Sequence, residues 1–211
     1  MFIEQPAIWM RWLYPNALWR MDHQDRSVYL TFDDGPIPEA TPEILDILDH
    51  YQVKATFFMV GDNARKFPEL HQRVVDAGHR IGNHTHNHIS GFRYSVHDYS
   101  YNVEKANAYL HTDLVRPPHG WMRLDLYALL SRKFKIVMWD LVTRDYSKYT
   151  TAEDVVNNVK RYVRSGSIIT FHDSVKSIAK LRIALPQIIE WLRDQGYAFK
   201  TFEKSSLIIN G

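Results

Sequence analysis

Two adjacent acidic residues, Asp33 and Asp34, have the types and the spacing for two different chemical roles. They follow a short apolar run, Ser27 to Phe32, which predicts a buried strand, and Gly35-Pro36 comes at once after them. Because neighbouring residues at the end of a strand point in opposite directions, we expect the two carboxylates to serve different purposes. The alternative interpretation is an Asp-Gly-Pro turn in which both acids only cap the backbone.

Three histidines within five residues, His84, His86 and His88, predict a metal site. In an extended chain all three would share one face, whereas in a helical turn His84 and His88 would pair and His86 would point away. The chain has no cysteine, so a thiolate ligand is excluded. Two imidazoles and one carboxylate would leave a position on Zn²⁺ open for water, which loses its proton more readily there than in bulk.

The elements that must position these groups alternate between strand and helix. Capping residues predict helices that begin at Thr41, Pro68, Ser95 and Thr151, and two further helices are predicted over 124–132 and 178–195. About seven strands and six helices predict a single-domain α/β fold with a parallel sheet, closed or nearly closed as a barrel. The strands after the first are predicted at Ala55–Val60, Arg80–Asn83, Leu114–Arg116, Ile136–Asp140, Ser167–Phe171 and Ala198–Phe202.

The polar residues of interest follow the predicted strands, at the end where β/α barrels carry their chemistry. The acidic pair follows the first strand and the histidines follow the third. Arg116 ends the fourth strand, Asp145 lies beyond the fifth, and His172-Asp173 follows the sixth. We therefore expect these side chains to meet on one rim.

Composition limits the class of partner and the organisation of the chain. A length of 211 residues with 45% hydrophobic content fits one domain, and a net charge of +2 gives no case for nucleic acid. The first 26 residues contain neither a signal-peptide core nor a membrane span, which predicts a cytoplasmic protein. A chain cut after a leader would look the same, so an extracytoplasmic location stays open. Protein partners are not predicted.

The aromatic residues of segment 1–26 favour a leader that packs across the bottom or side of the domain. Carbohydrate stacking is the alternative interpretation for these rings. Residues 204–211 are predicted to form a C-terminal tail. The aromatic residues in question are Trp9, Trp12, Tyr14 and Trp19.

Five motifs in order, TFDDGP, HTHNH, RPPHG, WDLVTRDY and TFHDS, resemble those of the polysaccharide deacetylases, the NodB-homology family of carbohydrate esterases (family 4). The resemblance runs from about Ser27 to Phe202 and implies a domain over 27–203. It implies a distorted (β/α)₇ barrel that removes N- or O-acetyl groups from sugar polymers. It also implies a divalent metal, usually Zn²⁺, with Co²⁺, Ni²⁺ or Mn²⁺ as alternatives.

The same resemblance implies roles for individual residues. Asp33 matches the catalytic base, and Asp34, His84 and His88 match the metal ligands, so that His86 would be a bystander. Thr85 matches the residue that steadies the histidine loop. Arg116 matches the arginine that orients the base. His172 matches the general acid, and Asp145 matches the carboxylate that raises the pKa of that acid. His119 matches the residue whose backbone N–H stabilises the oxyanion.

Three positions depart from the family pattern. His119 replaces a common Tyr, Tyr146 replaces a common Trp, and Thr170 stands where a Leu usually lines the pocket for the acetyl methyl group. A hydroxyl in that pocket weakens the case for acetyl as the group removed. Two other functions therefore stay open: hydrolysis of another amide, imide or O-acetyl ester, and a catalytically silent barrel that binds carbohydrate.

Overall fold

The computed structural model describes residues 4–22 and 24–203, which form one α/β unit. The predicted tail over 204–211 lies outside the described residues. None of the described helices is both long and apolar enough to cross a membrane. The strands are β1 (Ser27–Asp33), β2 (Thr56–Met59), β3 (Arg80–Asn83), β4 (Leu114–Val115), β5 (Lys135–Ile136), β6 (Leu141–Val142), β7 (Ser167–His172) and β8 (Ala198–Phe199). The helices are α1 (Ile8–Leu13), α2 (Thr41–His50), α3 (Gly61–Lys66), α4 (Pro68–Asp76), α5 (Val96–Leu110), α6 (Leu124–Leu130), α7 (Ala152–Tyr162) and α8 (Val175–Asp194).

The strands form one parallel sheet in the order β5-β4-β3-β2-β1-β7-β6, and β8 pairs with the start of β1. The predicted α/β fold with a parallel, incompletely closed barrel is confirmed. The central strand β1 is buried along its whole length. A strand covered on both faces reads as a continuous apolar run, which is why SVYLTF was recognisable in the sequence.

The predicted strand over Ile136–Asp140 is wrong. Its residues divide between β5, which ends at Ile136, and a crossing segment that leads into β6. In this segment the N–H of Met138 donates to Leu18 and the N–H of Asp140 donates to Ile168. The leader thus supplies the partner on one side of the crossing, and β7 supplies it on the other. These pairings could not be predicted from the sequence, because both partners are remote in the chain.

Alternate residues of the strands face two different layers. Val28, Leu30 and Phe32 of β1 belong to one hydrophobic cluster with buried residues of α2, α7 and α8. Tyr29 faces the barrel interior, where it stacks on Phe202 with 5.4 Å between ring centroids. Thr31 and Asp33 share the parity of Tyr29, so the interior runs from an apolar lower end to a polar upper end.

Two of the predicted helix starts are confirmed by their capping bonds. Ser95 accepts from the N–H of Asp98, and Thr151 forms a capping box with Asp154. The short helix α3 was not predicted, because its sequence, GDNARK, carries no apolar periodicity.

The predicted cap at Thr41 is wrong. Thr41 is the first residue of α2, and its side chain makes no cap bond to the helix. Its hydroxyl instead accepts from the N–H of Ile37 and donates to Asp173 Oδ2, both at 2.7 Å. Asp173 is a buried acid of the loop after β7. Thr41 therefore ties the loop after β1 to the loop after β7.

Thr41→Val is expected to lower the free energy of unfolding by about 1–3 kcal/mol for each polar group left without a partner. The two groups affected are the Ile37 N–H and the Asp173 carboxylate. Urea unfolding would measure the loss, and Thr41→Ser, which keeps the hydroxyl, is the matched control. Equal stability of the Val and Ser variants would contradict this account.

Candidate active site

The carboxyl ends of the strands surround a cleft of about 680 Å³. Strands β1 and β7 pair in register so that Asp33 lies beside His172. Nine of the eleven residues assigned from the sequence line this cleft. The nine are Asp33, Asp34, His84, His88, Arg116, His119, Tyr146, Thr170 and His172. Of the other two, Asp145 bonds to His172, and Thr85 lies in the histidine loop, where it accepts from the N–H of Ile89.

One carboxylate and two imidazoles converge at the floor of the cleft. One ligand atom each from Asp34, His84 and His88 lies within 4.8 Å of the other two. Asp34 Oδ1 is 3.2 Å from His88 Nε2 and 3.7 Å from His84 Nε2. These three side chains fit a divalent cation, because the donors suit it and the side toward the cleft stays open for water or substrate.

The histidine loop is neither a strand nor a helix. Thr85 and His88 have positive φ angles, of 64° and 53°, and the loop turns so that the rings of His84 and His88 lie 5.1 Å apart. His86 turns away and stacks on Tyr109 of α5 with 5.9 Å between centroids. The sequence left open which histidines pair, and the turn places His84 with His88.

Short polar side chains hold this loop in place. The N–H of Thr85 donates to Asn83 Oδ1, and the Thr85 hydroxyl accepts from the N–H of Ile89. The N–H groups of His86 and Asn87 both donate to Asn102 Oδ1. Asn83 and Asn102 were missed by the sequence reasoning, since neither stands in a pattern that marks it.

The unpredicted helix α3 joins the two motif loops. Its first N–H groups, of Gly61 and Asp62, donate to the carbonyls of Thr85 and His86. Free amide groups at a helix N-terminus need such acceptors. Asn63 of the same helix donates its side-chain amide to the carbonyl of Asp34. Helix α3 therefore fixes the distance between the acidic pair and the histidines.

The protonation states at the cluster suit a cation. Burial lowers the pKa of His84 to about 4, against the opposing charge of Asp33, so the ring is neutral at neutral pH. Its Nδ1–H then donates to the carbonyl of Arg116 at 2.8 Å, which leaves the Nε2 lone pair free to bind a cation on the side of Asp34. Burial favours a neutral Asp34, but His88, His84 and His172 outweigh it and lower the pKa of that carboxyl.

The second acid of the pair, Asp33, is held by a buried ion pair. Arg116 Nη1 lies 2.6 Å from Asp33 Oδ1 and also donates to the Thr31 hydroxyl, while Nη2 donates to the Met138 carbonyl. The Arg116 side chain is 1% exposed and lies over the ring of Phe58. The pair of acids is thus divided as expected, with Asp33 toward the arginine and Asp34 toward the histidines.

His172 faces the cluster from β7 and is held by Asp145. Its Nδ1 lies 2.9 Å from Asp145 Oδ1, and its backbone N–H donates to Asp145 Oδ2. Burial alone would lower the pKa of His172, but Asp145 reverses this and, with Asp33 and Asp34, raises it to about 9. His172 is therefore protonated at neutral pH and can donate a proton.

Asp145→Asn is expected to move the alkaline limb of the rate profile to lower pH. A raised pKa keeps the acid protonated until the pH passes about 9, and removing the carboxylate returns that pKa toward 6.5. The pH dependence of kcat/KM for the metal-loaded protein would measure the shift. An alkaline limb at the same pH in both proteins would show that His172 is not the group that titrates.

The far wall of the cleft contains the three positions that depart from the family pattern. His119 has a φ of 62° and its ring lies 5.0 Å from that of His88. Tyr146 packs edge-on against His172 with 4.5 Å between centroids. Thr170 is buried, and its hydroxyl lies 3.4 Å from that of Thr31.

Trp139 forms part of the same wall and was not assigned a role from the sequence. The Trp139 ring packs directly on Gly120, since a Cβ added at Gly120 would lie 1.8 Å from the ring. Gly120 also has a φ of 73°, a backbone conformation that favours glycine. Trp139 also packs against Trp19 of the leader. Trp139 stands in the fourth motif stretch, which in the sequence suggested no role for its ring in the cleft.

Asp173 also lines the cleft, where the sequence suggested only a loop acid. It is fully buried, its Oδ1 has no hydrogen-bond partner among the described residues, and its N–H donates to the carbonyl of Asp33. Burial raises the pKa of Asp173 to about 7, although the bond from Thr41 opposes this. Asp173 therefore bonds to both ends of the loop after β1, at Asp33 and at Thr41.

A three-ligand cluster, an ion-paired acid and a protonated histidine around one cleft are what a metal-assisted hydrolase requires. The comparisons with known proteins agree. The family model described as polysaccharide deacetylase matches residues 20–132, and relatives match most of the chain. The chain belongs to the polysaccharide deacetylase family.

Three similar proteins illustrate this relation. A peptidoglycan-N-acetylglucosamine deacetylase of Bacillus cereus is 31% identical over 191 residues, which cover 87% of this chain and 89% of the relative. A chitooligosaccharide deacetylase of Sinorhizobium fredii is 34% identical over 197 residues, covering 85% and 91%. The crystal structure of a peptidoglycan N-acetylglucosamine deacetylase in complex with an N-oxidanyl-benzamide superposes with a TM-score of 0.87 at 33% identity, covering 93% and 95%. The expected family and the expected class of activity, hydrolytic deacetylation, are confirmed.

Proposed function

We propose that the protein is a metal-dependent deacetylase acting on N-acetylated sugars of a chitin-like or peptidoglycan-like glycan. The observation that carries the proposal is the cluster of Asp34, His84 and His88 in the same cleft as Asp33 and His172. The names of the two curated relatives support this class of substrate.

Asp34, His84 and His88 would hold the cation, which we propose to be Zn²⁺, with Co²⁺, Ni²⁺ or Mn²⁺ as alternatives. Neutral imidazole and carboxylate are ligands that Zn²⁺ accepts in catalytic sites. When bound, the cation supplies Lewis acidity and makes a water molecule easier to deprotonate. The lowered pKa of His84 supports this, since only a neutral ring can be a ligand.

The remaining residues divide the proton transfers. Asp33, which Arg116 orients through their ion pair, would take a proton from the attacking water. His172, kept protonated by Asp145, gives a proton to the leaving amine, which departs poorly as an anion. The backbone N–H of His119 would stabilise the oxyanion of the tetrahedral intermediate. Thr85 acts only through the loop that carries the histidines.

A second candidate function, hydrolysis of another amide, an imide or an O-acetyl ester, is favoured by one observation. Thr170 puts a hydroxyl in the wall of the cleft where an acetyl methyl group would need apolar contact. The Thr31 hydroxyl lies 3.4 Å from the Thr170 hydroxyl and gives it a polar partner within the barrel. The Thr170 hydroxyl therefore does not need a polar partner from the substrate, and an acetyl methyl group is acceptable beside it. Acetyl therefore stays the first choice.

A substrate panel tests both candidates. Protein loaded with Zn²⁺ would be incubated with N-acetylated chito-oligosaccharides, peptidoglycan fragments, acetylated xylan and small amides. Acetate release from the first two, lost in an Asp33→Asn control, is the expected result. Release of acid only from xylan or from the small amides would replace the first function with the second. Zinc-loaded protein that hydrolyses nothing would favour a silent carbohydrate-binding barrel.

A further inference from the structure

Three aromatic side chains contact one another in a row, and the site chemistry does not use them. Trp121 lies in the middle, with Trp9 of α1 at 5.7 Å and Phe92 at 6.3 Å between ring centroids. Trp9 is 50% exposed and Phe92 is 59% exposed. We call these three residues the aromatic row. Large exposed aromatic groups that touch one another mark a binding surface more often than a solvated one.

The aromatic row is built from three distant segments that are fixed to one another. Gly91 forms a β-bridge with Met122, and a Cβ at Gly91 would lie 2.6 Å from the carbonyl oxygen of Trp121, so only glycine allows this approach. The leader joins them because the Tyr14 hydroxyl donates to the Met122 carbonyl and accepts from its N–H. A surface held in place before binding loses little conformational entropy on binding.

Two residues of the aromatic row adjoin cavity-lining residues in the chain: Trp121 follows Gly120 of the cleft, and Phe92 precedes Arg93 of a second groove. A smaller groove of about 290 Å³ shares His88 and His119 with the main cleft. Its other lining residues include Asn87, Ser90 and Arg93, and Arg93 follows directly after Phe92. A chain that left the cleft through this groove would come to the segments that carry Phe92 and Trp121.

The combination of flat rings with polar neighbours favours a sugar chain as the ligand. A pyranose ring has an apolar face of C–H groups that packs on an aromatic ring, while its hydroxyls need donors and acceptors at the edge. The row supplies the rings and the groove supplies the polar edge. A membrane surface would favour an apolar face bordered by many basic residues, and the net charge of the chain is only +2.

We propose that the aromatic row binds the sugar units of a glycan that extend beyond the one being deacetylated. This inference rests on the proposed function, because it assumes a glycan in the cleft. It gives the enzyme a preference for long chains over short ones. It also gives the leader a part in substrate binding, through Trp9.

The test compares substrates of two lengths with Trp9→Ala, Phe92→Ala and the double variant. The ratio of kcat/KM for an N-acetylated chitohexaose to that for the disaccharide is expected to fall roughly three- to tenfold for each ring removed. The loss should lie in KM for the hexasaccharide. Tyr101→Ala, an aromatic on α5 that is 64% exposed, is the matched control and should leave the ratio unchanged.

A ratio unchanged in the Trp9, Phe92 and double variants would overturn the inference. So would an equal loss for both substrates, because that is the result of a disturbed fold. Sedimentation with phosphatidylcholine and phosphatidylglycerol vesicles tests the membrane alternative. Vesicle binding that is lost with Trp9 and Phe92, together with an unchanged kcat/KM ratio, would replace the glycan inference with a membrane surface.

A binding measurement separates the inference from the proposed function. Calorimetric titration of zinc-loaded Asp33→Asn protein with chitohexaose should show binding that weakens when Trp9 or Phe92 is also replaced. If the wild-type protein releases no acetate but this binding pattern holds, the proposed function fails and the row still binds glycan. If acetate is released but the binding does not depend on the row, only the inference fails.

Discussion

Asp33→Asn is expected to abolish turnover in protein that still carries its metal, whereas Asp34→Asn is expected to lose the metal. The two acids are adjacent, but Asp33 contacts Arg116 and Asp34 contacts the histidines. Removing a general base lowers the rate roughly 10²- to 10⁴-fold. Removing one of three protein ligands lowers the affinity of the cation and the rate together.

Acetate release and metal content of the same preparations would measure both effects. The histidine loop offers a matched control, since His86 lies in the same five residues but stacks on Tyr109. His84→Asn and His88→Asn should lose the metal, and His86→Asn should keep it. Full activity in both aspartate variants, or loss of metal only in the His86 variant, would show that the ligands are assigned wrongly.

Arg116→Met is expected to lower the free energy of unfolding by about 3–5 kcal/mol, the second large effect. The substitution leaves the Asp33 carboxylate buried without its partner, and it removes the donors to Thr31 and to the Met138 carbonyl. The cost arises from an unpaired buried charge more than from the value of the ion pair itself. Denaturant unfolding at neutral pH would measure it.

The double variant Arg116→Met/Asp33→Asn tests this reason, because it removes the stranded charge. Its stability should lie well above that expected from adding the two single losses. Lys133→Met is the surface control, since Lys133 pairs with Glu104 while the two side chains are 61% and 46% exposed. That change should cost no more than about 1 kcal/mol. A similar loss for Lys133 and Arg116 would contradict the buried-pair account.

Much of the fold could be predicted because its signals are local. The buried strand β1 appears in the sequence as an unbroken apolar run. Ser95 and Thr151 predict the starts of their helices, because an aspartate stands three residues after each of them. Polar residues that follow parallel strands must meet at one edge of the sheet, so the position of the site could be predicted from the sequence.

The parts that were wrong or missed depend on contacts between distant residues. The strand predicted over Ile136–Asp140 is broken because the leader and β7 provide its hydrogen-bond partners. The Thr41 hydroxyl bonds to Asp173 across the domain instead of capping its own helix. In both cases the local structure depends on bonds to residues far away in the chain, which no local pattern reveals.

The sequence by itself determined the parallel α/β architecture, the family and the set of groups that could do chemistry, because residue type, period and motif spacing carry that information. Only the tertiary structure decided how these groups are used. It turned the loop so that His84 and His88 face Asp34, and it brought Arg116 to Asp33. It also laid Trp9 of the leader beside Trp121. Each of these is a contact between side chains whose distance depends on the packing of remote elements, and no local pattern in the chain encodes that packing.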